Sequence, residues 1–489
     1  TDLQDFIVVE TDKALKDTLL PTEREVSGLF GDTTNVLEVP RQVTLLSPKI
    51  LKEFYIDDLS DLSKIGAGTQ TINFYGIPGT PLLRGAKGGT YLNGMLRAYQ
   101  RNEMPLSFGS LEAIELVKGP AQADFSPTLI GGYANLIPKA PYFDEQTASI
   151  GIRFDNWGQK RITADAGAPF TLPGGMPAAF RASFTGQDGP TYWDDVENDF
   201  VSTYGSLKFR PNDNVTVYVG GEYFDFQSNE NAGWNRPTQN LIDNGQYVIG
   251  EPAIATSPTW RGTLDRNVVE FPSATALNPA MFALGVPGSV ARSQIPAAQR
   301  AFMLNLNNPA DRATVYDTTG TDALGNALPA GTIDTLNAAA ATPQDTYVYT
   351  PEYFANGGEA LTRDLDGDEV LSDRNDFADS RDVVIFGDVI FSPDNSSRTF
   401  TFKFLFEDLV TEKRSSYGYA VDTEQTVYSG KAFVTDRETI WNTTSTLGFG
   451  LRYTDAKILQ DFFAEPFARR DITLPDISPN TVLLVGDQR

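Results

Sequence analysis

Long segments in which apolar and polar side chains strictly alternate dominate the chain after Pro141. In the first segment, one parity holds Ala148, Ile150, Ile152 and Phe154, and the other holds Ser149, Gly151, Arg153 and Asp155. A period of two is the signature of a β-strand, because successive side chains point to opposite faces of a sheet. The pattern returns over residues 161–168, 178–185, 201–210 and 399–406. The sequence therefore predicts a large antiparallel sheet built from hairpins.

This alternation has two interpretations. In a membrane β-barrel the apolar face meets lipid and the polar face meets the interior, whereas in a soluble β-sandwich the apolar face is the core and the polar face meets water. Alternation alone does not separate them. The chain contains no apolar run of about 18 residues, the length that a membrane-spanning helix requires.

Composition excludes several classes of function. The 489 residues include no Cys and no His, and the formal net charge is -25. Disulfides, thiolate chemistry and imidazole ligands or bases are therefore absent, and no catalytic residues are expected. The acidic balance opposes nucleic-acid binding, which needs a basic face. No apolar leader stands at Thr1, so a mature exported protein of at least two domains is expected.

A different pattern precedes the alternating segments and another interrupts them. From Arg41 to Pro141 short strand-like and helix-like stretches alternate and Gly is frequent, which predicts a small α+β domain. Between about residues 228 and 381 the alternation lapses into stretches rich in Pro, Asn, Asp and Ala. Such a long irregular region is expected to form surface loops that are functional or disordered.

An ordered series of motifs lies within the small domain. It comprises a β-prone stretch at 40–47, a helical stretch at 57–62, Arg84 with Gly85, Asn93 with Gly94, a block with Glu115, Lys118, Gly119 and Pro120, and a strand with Gly131, Gly132 and Asn135. This series resembles the plug domain of TonB-dependent outer-membrane receptors. Taken singly, each glycine indicates only a turn, a close backbone approach or both.

The resemblance implies an α+β plug domain inside an antiparallel transmembrane β-barrel of the 22-stranded class. It divides the chain into an N-terminal segment (1–39), the plug (40–143) and the barrel (144–489). The clear alternating segments amount to about half of the strands that such a barrel needs. We therefore expect an incomplete barrel wall in which the first and last strands do not pair with each other.

The resemblance also implies a function. A receptor of this kind resides in the bacterial outer membrane, in contact with its lipids, and imports a scarce solute such as an iron chelate, a cobalamin or an oligosaccharide. Its partner is a TonB-type periplasmic energy-coupling protein, which captures a short segment by strand addition. The matching residues are Asp5, Phe6, Ile7, Val8, Val9, Glu10 and Thr11. These residues could equally be a plain first strand, and a passive porin or a surface adhesin remains the alternative function.

Substrate in such receptors meets the apex of the plug and the inner ends of the loops. The matching polar and aromatic positions are Tyr75, Arg97, Tyr99, Arg101, Asn102 and, in the loop region, Trp234. Aromatic faces and guanidinium groups can hold sugars, catecholates or carboxylates. Two alternatives stay open: the arginines pair with acidic residues of the wall, and Trp234 belongs to an aromatic girdle.

One acidic stretch has spacing that is typical of calcium loops. Its carboxylates are Asp364, Asp366, Asp368, Asp373 and Asp376. Calcium prefers several carboxylate oxygens, and close carboxylates repel one another unless a cation lies between them. The glycine at position 367 falls at the fourth place of the loop, where a calcium loop has its glycine at the sixth. A calcium site and a solvated acidic loop are therefore both compatible with the sequence.

Overall fold

The structure is a computed structural model of the chain. It describes residues 25–26, 34–35, 42–74, 76–98, 106, 108–120, 129–229, 239–248, 289–291, 304–305, 346–348, 362–370, 376–394, 396–415, 419–436 and 445–462. Two sheets make up most of these residues. We refer to them as the small sheet and the large sheet.

The small sheet is mixed and lies in the N-terminal part of the chain. In chain order its elements are β3 (Gln42–Leu46), α1 (Pro48–Glu53), a 3₁₀ helix (Leu59–Lys64), β4 (Thr69–Phe74), β5 (Ile77–Leu83), β6 (Ala86–Leu92), β7 (Met95–Leu96), β8 (Leu111–Lys118) and β9 (Gly132–Pro138). The strand order is β3-β8-β9-β6-β5-β4, with β7 paired to β6. Strands β8 and β9 are buried along their whole length. This arrangement matches the α+β domain that the motifs indicated.

Two of the sequence motifs are tight hairpin turns. The β5–β6 turn has φ values of 53° at Arg84 and 78° at Gly85, and the β6–β7 turn has 50° at Asn93 and 76° at Gly94. Two successive positive φ angles define the type I′ turn, whose twist fits the right-handed twist of the flanking strands. Asparagine and glycine tolerate this region better than most residues do.

The double-glycine motif marks the closest backbone approach in the small sheet. A Cβ atom at Gly131 would lie 2.3 Å from the Ala86 carbonyl oxygen, and one at Gly132 would lie 2.0 Å from that of Val117. Gly132 also has a φ of 128°. These two positions admit no side chain, because β9 starts where it is wedged between two neighbouring backbones. A close backbone approach is one of the two roles that the sequence predicted for such glycines.

The large sheet is antiparallel and consists of long strands. They are β10 (Thr147–Phe154), β11 (Lys160–Leu172), β12 (Met176–Asp188), β13 (Asn198–Asn212), β14 (Val215–Ser228), β20 (Phe377–Phe391), β21 (Arg398–Ser415), β22 (Tyr419–Asp436) and β23 (Ser445–Phe462). Neighbours in this order are hydrogen-bonded, and β10 and β23 lie at the two edges. Within the described residues the first and last strands therefore do not pair, as the sequence predicted.

Short elements connect or flank these sheets. They are β1 (Glu25–Val26), β2 (Thr34–Asn35), α2 (Gln239–Asn244), β15 (Gln246–Val248), β16 (Ser289–Ala291), β17 (Leu304–Asn305), β18 (Thr346–Val348) and β19 (Thr362–Asp364). β1 pairs with β2, β15 with β19, and β18 with both β16 and β17. None of the described helices has the length and apolar character needed to cross a membrane.

The burial pattern of the large sheet separates the two interpretations of its alternation. On β12 the apolar Phe180 and Phe184 are 42% and 40% exposed, whereas Arg181, Ser183 and Thr185 on the opposite face are 8%, 6% and 3% exposed. A soluble β-sandwich would bury the apolar face. Here the polar face is buried and the apolar face is exposed, which is the arrangement that lipid requires.

The small sheet packs against this polar face. One cluster of buried apolar residues joins Ile114 and Leu136 of the small sheet to Tyr218, Phe386 and Leu405 of the large sheet. Apolar contacts therefore make up only part of the interface, because most inward-facing side chains of the long strands are polar. The remainder of the interface must be hydrogen-bonded.

Replacement of Gly132 by Ala should destabilise the small sheet strongly. The new methyl group would overlap the Val117 carbonyl oxygen, and a misfit of this kind costs about 1–3 kcal/mol beyond the cost of the positive φ. Gly85→Ala is the matched control, because Gly85 has a φ of 78° but no atom within 4 Å of an added Cβ. Gly85→Ala should cost only about 1–2 kcal/mol. Equal unfolding midpoints in denaturant for the two variants would contradict this interpretation.

Candidate functional site

The β6–β7 hairpin of the small sheet is held by side chains of the large sheet. Asn93 donates from Nδ2 to both carboxylate oxygens of Asp388 on β20, at 3.0 and 2.9 Å. Lys403 on β21 donates to the Asn93 carbonyl at 3.3 Å and to Asp388 at 2.9 Å. The turn residue that tolerates a positive φ is thus also the residue that the large sheet binds. We refer to the large sheet, with its polar inner face, as the wall.

Two further wall cations bind the backbone of the same hairpin. Lys431 on β22 donates to the Gly94 carbonyl at 2.9 Å. Arg452 on β23 donates to the Arg97 carbonyl at 3.0 Å and also to the Leu96 carbonyl. Three consecutive strands each contribute one cation, and together these cations bind four backbone carbonyls of residues 93–97.

Arg97 lies at the centre of a buried ion cluster. Its Nε donates to Glu407 Oε1 at 3.0 Å, and its terminal nitrogen donates to Asp382. The other oxygen of Glu407 accepts the backbone N–H of Ala98 at 2.6 Å. The side chains of Arg97, Asp382 and Glu407 are 4%, 3% and 0% exposed. The wall therefore binds both the side chain of Arg97 and the backbone of the next residue.

The charge balance of this cluster determines the state of Arg97. Burial alone would lower the pKa of the Arg97 guanidinium, but Glu407 and Asp382 raise it, and the net pKa lies above the ordinary value. Glu222 on β14 adds a third carboxylate and accepts hydrogen bonds from Ser202 at 2.6 Å and Ser110 at 2.9 Å. Arg97 is permanently charged, and its partners are supplied by the large sheet.

A second anchor lies at the end of the small sheet. Arg181 on β12 donates to Glu112 at 2.7 Å and to Asp165 at 3.0 Å, and Tyr142 donates to Glu112 at 3.1 Å. Burial raises the pKa of the Tyr142 phenol, and the charge of Glu112 adds to the effect. The phenol therefore remains a hydrogen-bond donor.

A third anchor joins the 3₁₀ helix region to the first strands of the large sheet. Asp57 pairs with Arg153 on β10 at 2.5 Å and with Arg161 on β11 at 2.6 Å. The adjacent Asp58 caps the 3₁₀ helix by accepting the Ser60 N–H at 2.6 Å. Burial, with a further contribution from Asp61, raises the pKa of Asp58 to about 6.

The other motif residues stabilise the small sheet itself. Gly94 donates its N–H to Asn135 at 2.9 Å, and Asn135 donates to Glu115 at 2.8 Å. Arg84 donates to Gln42 at 2.8 Å, and Lys118 donates to the Ala67 carbonyl. Burial and the charge of Arg84 lower the pKa of Lys118. These motif residues hold the turns of the small sheet in place.

Arg97 differs from the expected exposed ligand residue. Its guanidinium is buried and already bound by two carboxylates, so the alternative interpretation, pairing with the wall, describes it. The physical reason is that the inner face of the wall presents the acidic side chains of Asp382 and Glu407 directly opposite Arg97. The remaining substrate positions Tyr75, Tyr99, Arg101, Asn102 and Trp234 lie outside the described residues, as do residues 5–11.

The acidic stretch is only partly described. Asp364 and Asp366 are exposed, Asp376 is buried, and Asp373 lies outside the described residues. Within the part of the chain that the structure describes, no group of three or more acidic side chains is arranged to hold a metal ion. The calcium site stays a prediction that depends on Asp373 and its surroundings.

Sequence reasoning did not single out the wall residues that complete these anchors. They are Glu222, Asp382, Asp388, Lys403, Glu407, Lys431 and Arg452. The available signal was their parity: each lies at an inward position of an alternating strand, where a charged residue must meet a partner. Partner choice could not be read from the sequence, because each contact joins residues far apart in the chain.

Replacement of Arg97 by Met should destabilise the docked state. Removal of one member of a buried pair leaves Asp382 and Glu407 uncompensated, which costs about 3–5 kcal/mol. Lys457→Met is the control, because Lys457 lies 3.9 Å from Glu424 and both side chains are largely exposed. The denaturant midpoint should fall for Arg97→Met, recover in part when Glu407→Gln is added, and stay unchanged for Lys457→Met. An Arg97→Met midpoint equal to that of the control would contradict the assignment.

Asp58 should give the stability of the chain a pH dependence. Because its folded-state pKa of about 6 lies above the ordinary 3.8, the ionised carboxylate is disfavoured in the folded chain, and stability is lost as the pH rises from about 4 to about 6. Asp58→Asn keeps a cap acceptor and should remove this loss, which is at most about 3 kcal/mol. The measurement is the unfolding midpoint at pH 4 and pH 7, with the exposed Asp394→Asn as control. Parallel pH profiles for the wild type and Asp58→Asn would refute it.

Comparisons with known proteins identify proteins of similar sequence and structures of similar architecture. No protein-family model matches the sequence. The ferripyoverdine receptor of Pseudomonas aeruginosa is 24% identical over 217 residues, which are 40% of this chain and 24% of that receptor. The solved pyoverdine outer-membrane receptor of the same organism, bound to pyoverdine, has a TM-score of 0.56 at 13% identity and covers 91% of this chain and 50% of its own.

Two further solved structures are similar. The open form of the ferric-catecholate import receptor Fiu of Escherichia coli has a TM-score of 0.53 at 13% identity and covers 93% of this chain and 54% of its own. The siderophore receptor PiuA of Acinetobacter baumannii has a TM-score of 0.53 at 11% identity and covers 90% and 49%. The chain thus spans about half the length of these receptors. Together with the ordered motifs of the small sheet, this likeness establishes that the chain has the fold of the TonB-dependent outer-membrane receptors.

Proposed function

We propose that this chain is part of an outer-membrane receptor that imports an iron chelate by energised transport. In this proposal the small sheet is the plug and the large sheet is part of the barrel wall. The observation that carries the proposal is the filled interior: the polar face of the large sheet is bonded to the small sheet through Arg97, Asn93 and Glu112. A domain bonded in this way must rearrange before a solute can pass.

The filled interior also separates this proposal from its rivals. A passive porin keeps an aqueous channel along its inner face. Here the corresponding inner positions Arg181, Asp382 and Glu407 are buried against the small sheet. A surface adhesin would need no ionic anchors between an inner domain and its wall. Import through a plug that rearranges accounts for these anchors, and it requires no catalytic residues.

The substrate class rests on the similar proteins. The curated relative is named for ferripyoverdine, and the solved neighbours are named for ferric catecholates and siderophores. All of these ligands are iron chelates. A cobalamin or an oligosaccharide, both compatible with the sequence motifs alone, has no support from these names.

Energy coupling belongs to the same proposal. We assign it to residues Asp5–Thr11, whose β-prone sequence fits capture of a strand by a TonB-type periplasmic protein. Mechanical pull on this segment would reach the small sheet through the chain that leads to β3. The anchors to the wall then determine how much force the small sheet withstands before it rearranges.

Uptake of iron should require energy. Cells that express the intact receptor are expected to accumulate radiolabelled ferripyoverdine or another ferric siderophore, and collapse of the proton gradient should reduce accumulation to that of receptor-free cells. Surface binding at low temperature should persist, because binding does not need the gradient. Accumulation that continues at the same rate after the collapse would favour a passive channel.

Replacement of Val8 by Pro should abolish accumulation but leave surface binding intact. Proline removes a backbone donor and prevents strand addition, while the ligand site lies in other parts of the receptor. Thr18→Pro is the control, since it makes the same backbone change outside residues 5–11. Normal accumulation by Val8→Pro, with the same receptor level in the membrane, would show that this segment does not couple energy.

A further inference from the structure

The connections between the long strands lie alternately at two ends of the large sheet. At one end lie the connections at residues 173–175, 213–214, 392–397 and 437–444. At the other end lie those at 155–159, 189–197 and 416–418, together with the long region 229–376. We call this second end the loop end, because it carries the long region. In the proposed receptor this end faces the outside of the cell.

Three aromatic rings form a cluster at the loop end. The ring of Tyr192 lies 5.0 Å from that of Trp157 at an angle of 78° and 5.2 Å from that of Trp193 at 73°. Trp157 is 54% exposed and Tyr192 is 42% exposed. Edge-to-face packing of this kind stabilises a cluster while ring surface remains open to solvent.

An acidic segment from a distant part of the chain joins this cluster. The backbone N–H of Asp194, next to Trp193, donates to the carbonyl oxygen of Asp368 at 2.9 Å. A Cβ atom at Gly367 would lie 2.8 Å from the Tyr192 hydroxyl, so the aromatic ring fills the space that a side chain would take. The calcium-like spacing around Gly367 therefore has a structural consequence, which is contact with the aromatic cluster.

Negative charge is concentrated beside the rings. Partial desolvation raises the pKa of Asp194, and the charges of Asp368, Asp195, Glu369 and Asp366 raise this pKa further. Asp194 and Asp366 are exposed. In contrast to the Arg97 cluster, where carboxylates surround a guanidinium, the strongest charges here are of one sign. A cationic ligand would relieve their mutual repulsion.

We propose that this aromatic-acidic surface captures a cationic iron chelate before the chelate enters the receptor. The surface consists of Trp157, Tyr192, Asp194, Asp366 and Asp368. Exposed ring faces bind a cationic group or a flat ligand face by cation–π and stacking contacts, and carboxylates raise the local concentration of cations. A neutral or anionic chelate gains nothing from the carboxylates. The inference rests on the proposed function, since it names the charge of the substrate.

The test compares two iron chelates that differ by one charge. Ferrioxamine B carries a free ammonium group, and its N-acetylated derivative is neutral but otherwise the same. Association rates with the intact receptor in detergent are measured at low and moderate ionic strength. We expect the cationic chelate to associate about tenfold faster at low ionic strength and to lose this advantage as salt is added.

Charge-removing variants locate the effect. The double variant Asp194→Asn with Asp368→Asn should reduce the advantage of the cationic chelate and leave the rate of the neutral chelate unchanged. Asp213→Asn with Asp394→Asn makes the same change in exposed turns at the opposite end of the strands and should have no effect. Trp157→Leu should shorten the lifetime of the complex with the cationic chelate, because it removes an exposed ring.

Two results would overturn the inference: equal association rates for the two chelates, or no measurable binding of ferrioxamine B. An equal loss in the loop-end and opposite-end double variants would overturn it as well, because the effect would then be one of net charge. The proposed function fails differently. Charge-selective binding to the detergent-solubilised receptor, without energy-dependent accumulation in cells, would reject import and leave the capture surface in place.

Discussion

The structure depends on the hydrogen bonds and ion pairs that the polar face of the large sheet makes with the small sheet. A sheet whose apolar side chains point outward has polar side chains on its inner face, and buried polar groups without partners are costly. The small sheet supplies those partners. Arg97 binds Asp382 and Glu407, Asn93 binds Asp388, and Glu112 binds Arg181. Neither sheet would be stable in this arrangement without the other, because each carries charges that the other neutralises.

The contacts to the β6–β7 hairpin differ in kind from the ion pairs. Lys431 and Arg452 donate to backbone carbonyls of Gly94 and Arg97, so they recognise the path of the chain rather than particular side chains. Such contacts require the hairpin to have one fixed shape, and the type I′ turn at Asn93 and Gly94 provides it. The motif is therefore explained by two demands at once, a tight turn and a rigid surface for the wall to bind.

The sequence was sufficient for the long strands and the turns but not for the contacts between the two sheets. Strict alternation predicted the long strands, and the parity of Phe180 and Phe184 against Arg181 and Ser183 is reproduced in the burial pattern. The glycine motifs predicted the turns and the close approach at Gly132. Period and turn chemistry are local properties, so they can be read from one segment at a time.

Arg97 shows that the partner of a buried charged residue cannot be predicted from the sequence around it. An arginine next to a predicted apical segment fits a ligand contact as well as an ion pair, and the choice depends on what the wall presents at the same height. Glu407 and Asp382 lie about three hundred residues further along the chain, and their inward direction is set by strand register. No pattern in the immediate sequence of Arg97 contains that information.

Two pairs of acidic residues show that the surroundings of a carboxylate, too, cannot be predicted from the local sequence. Both Asp382 with Glu407 and Asp194 with Asp368 would be described from the sequence as acidic residues on or between strands. In the first group each carboxylate binds Arg97, which makes the group part of the interface between the sheets. In the second group the strongest charges are again carboxylates, and the neighbouring groups are exposed aromatic rings. The acidic residues therefore have two different surroundings: Asp382 and Glu407 bind Arg97 and join the two sheets, whereas Asp194 and Asp366 are exposed beside aromatic rings.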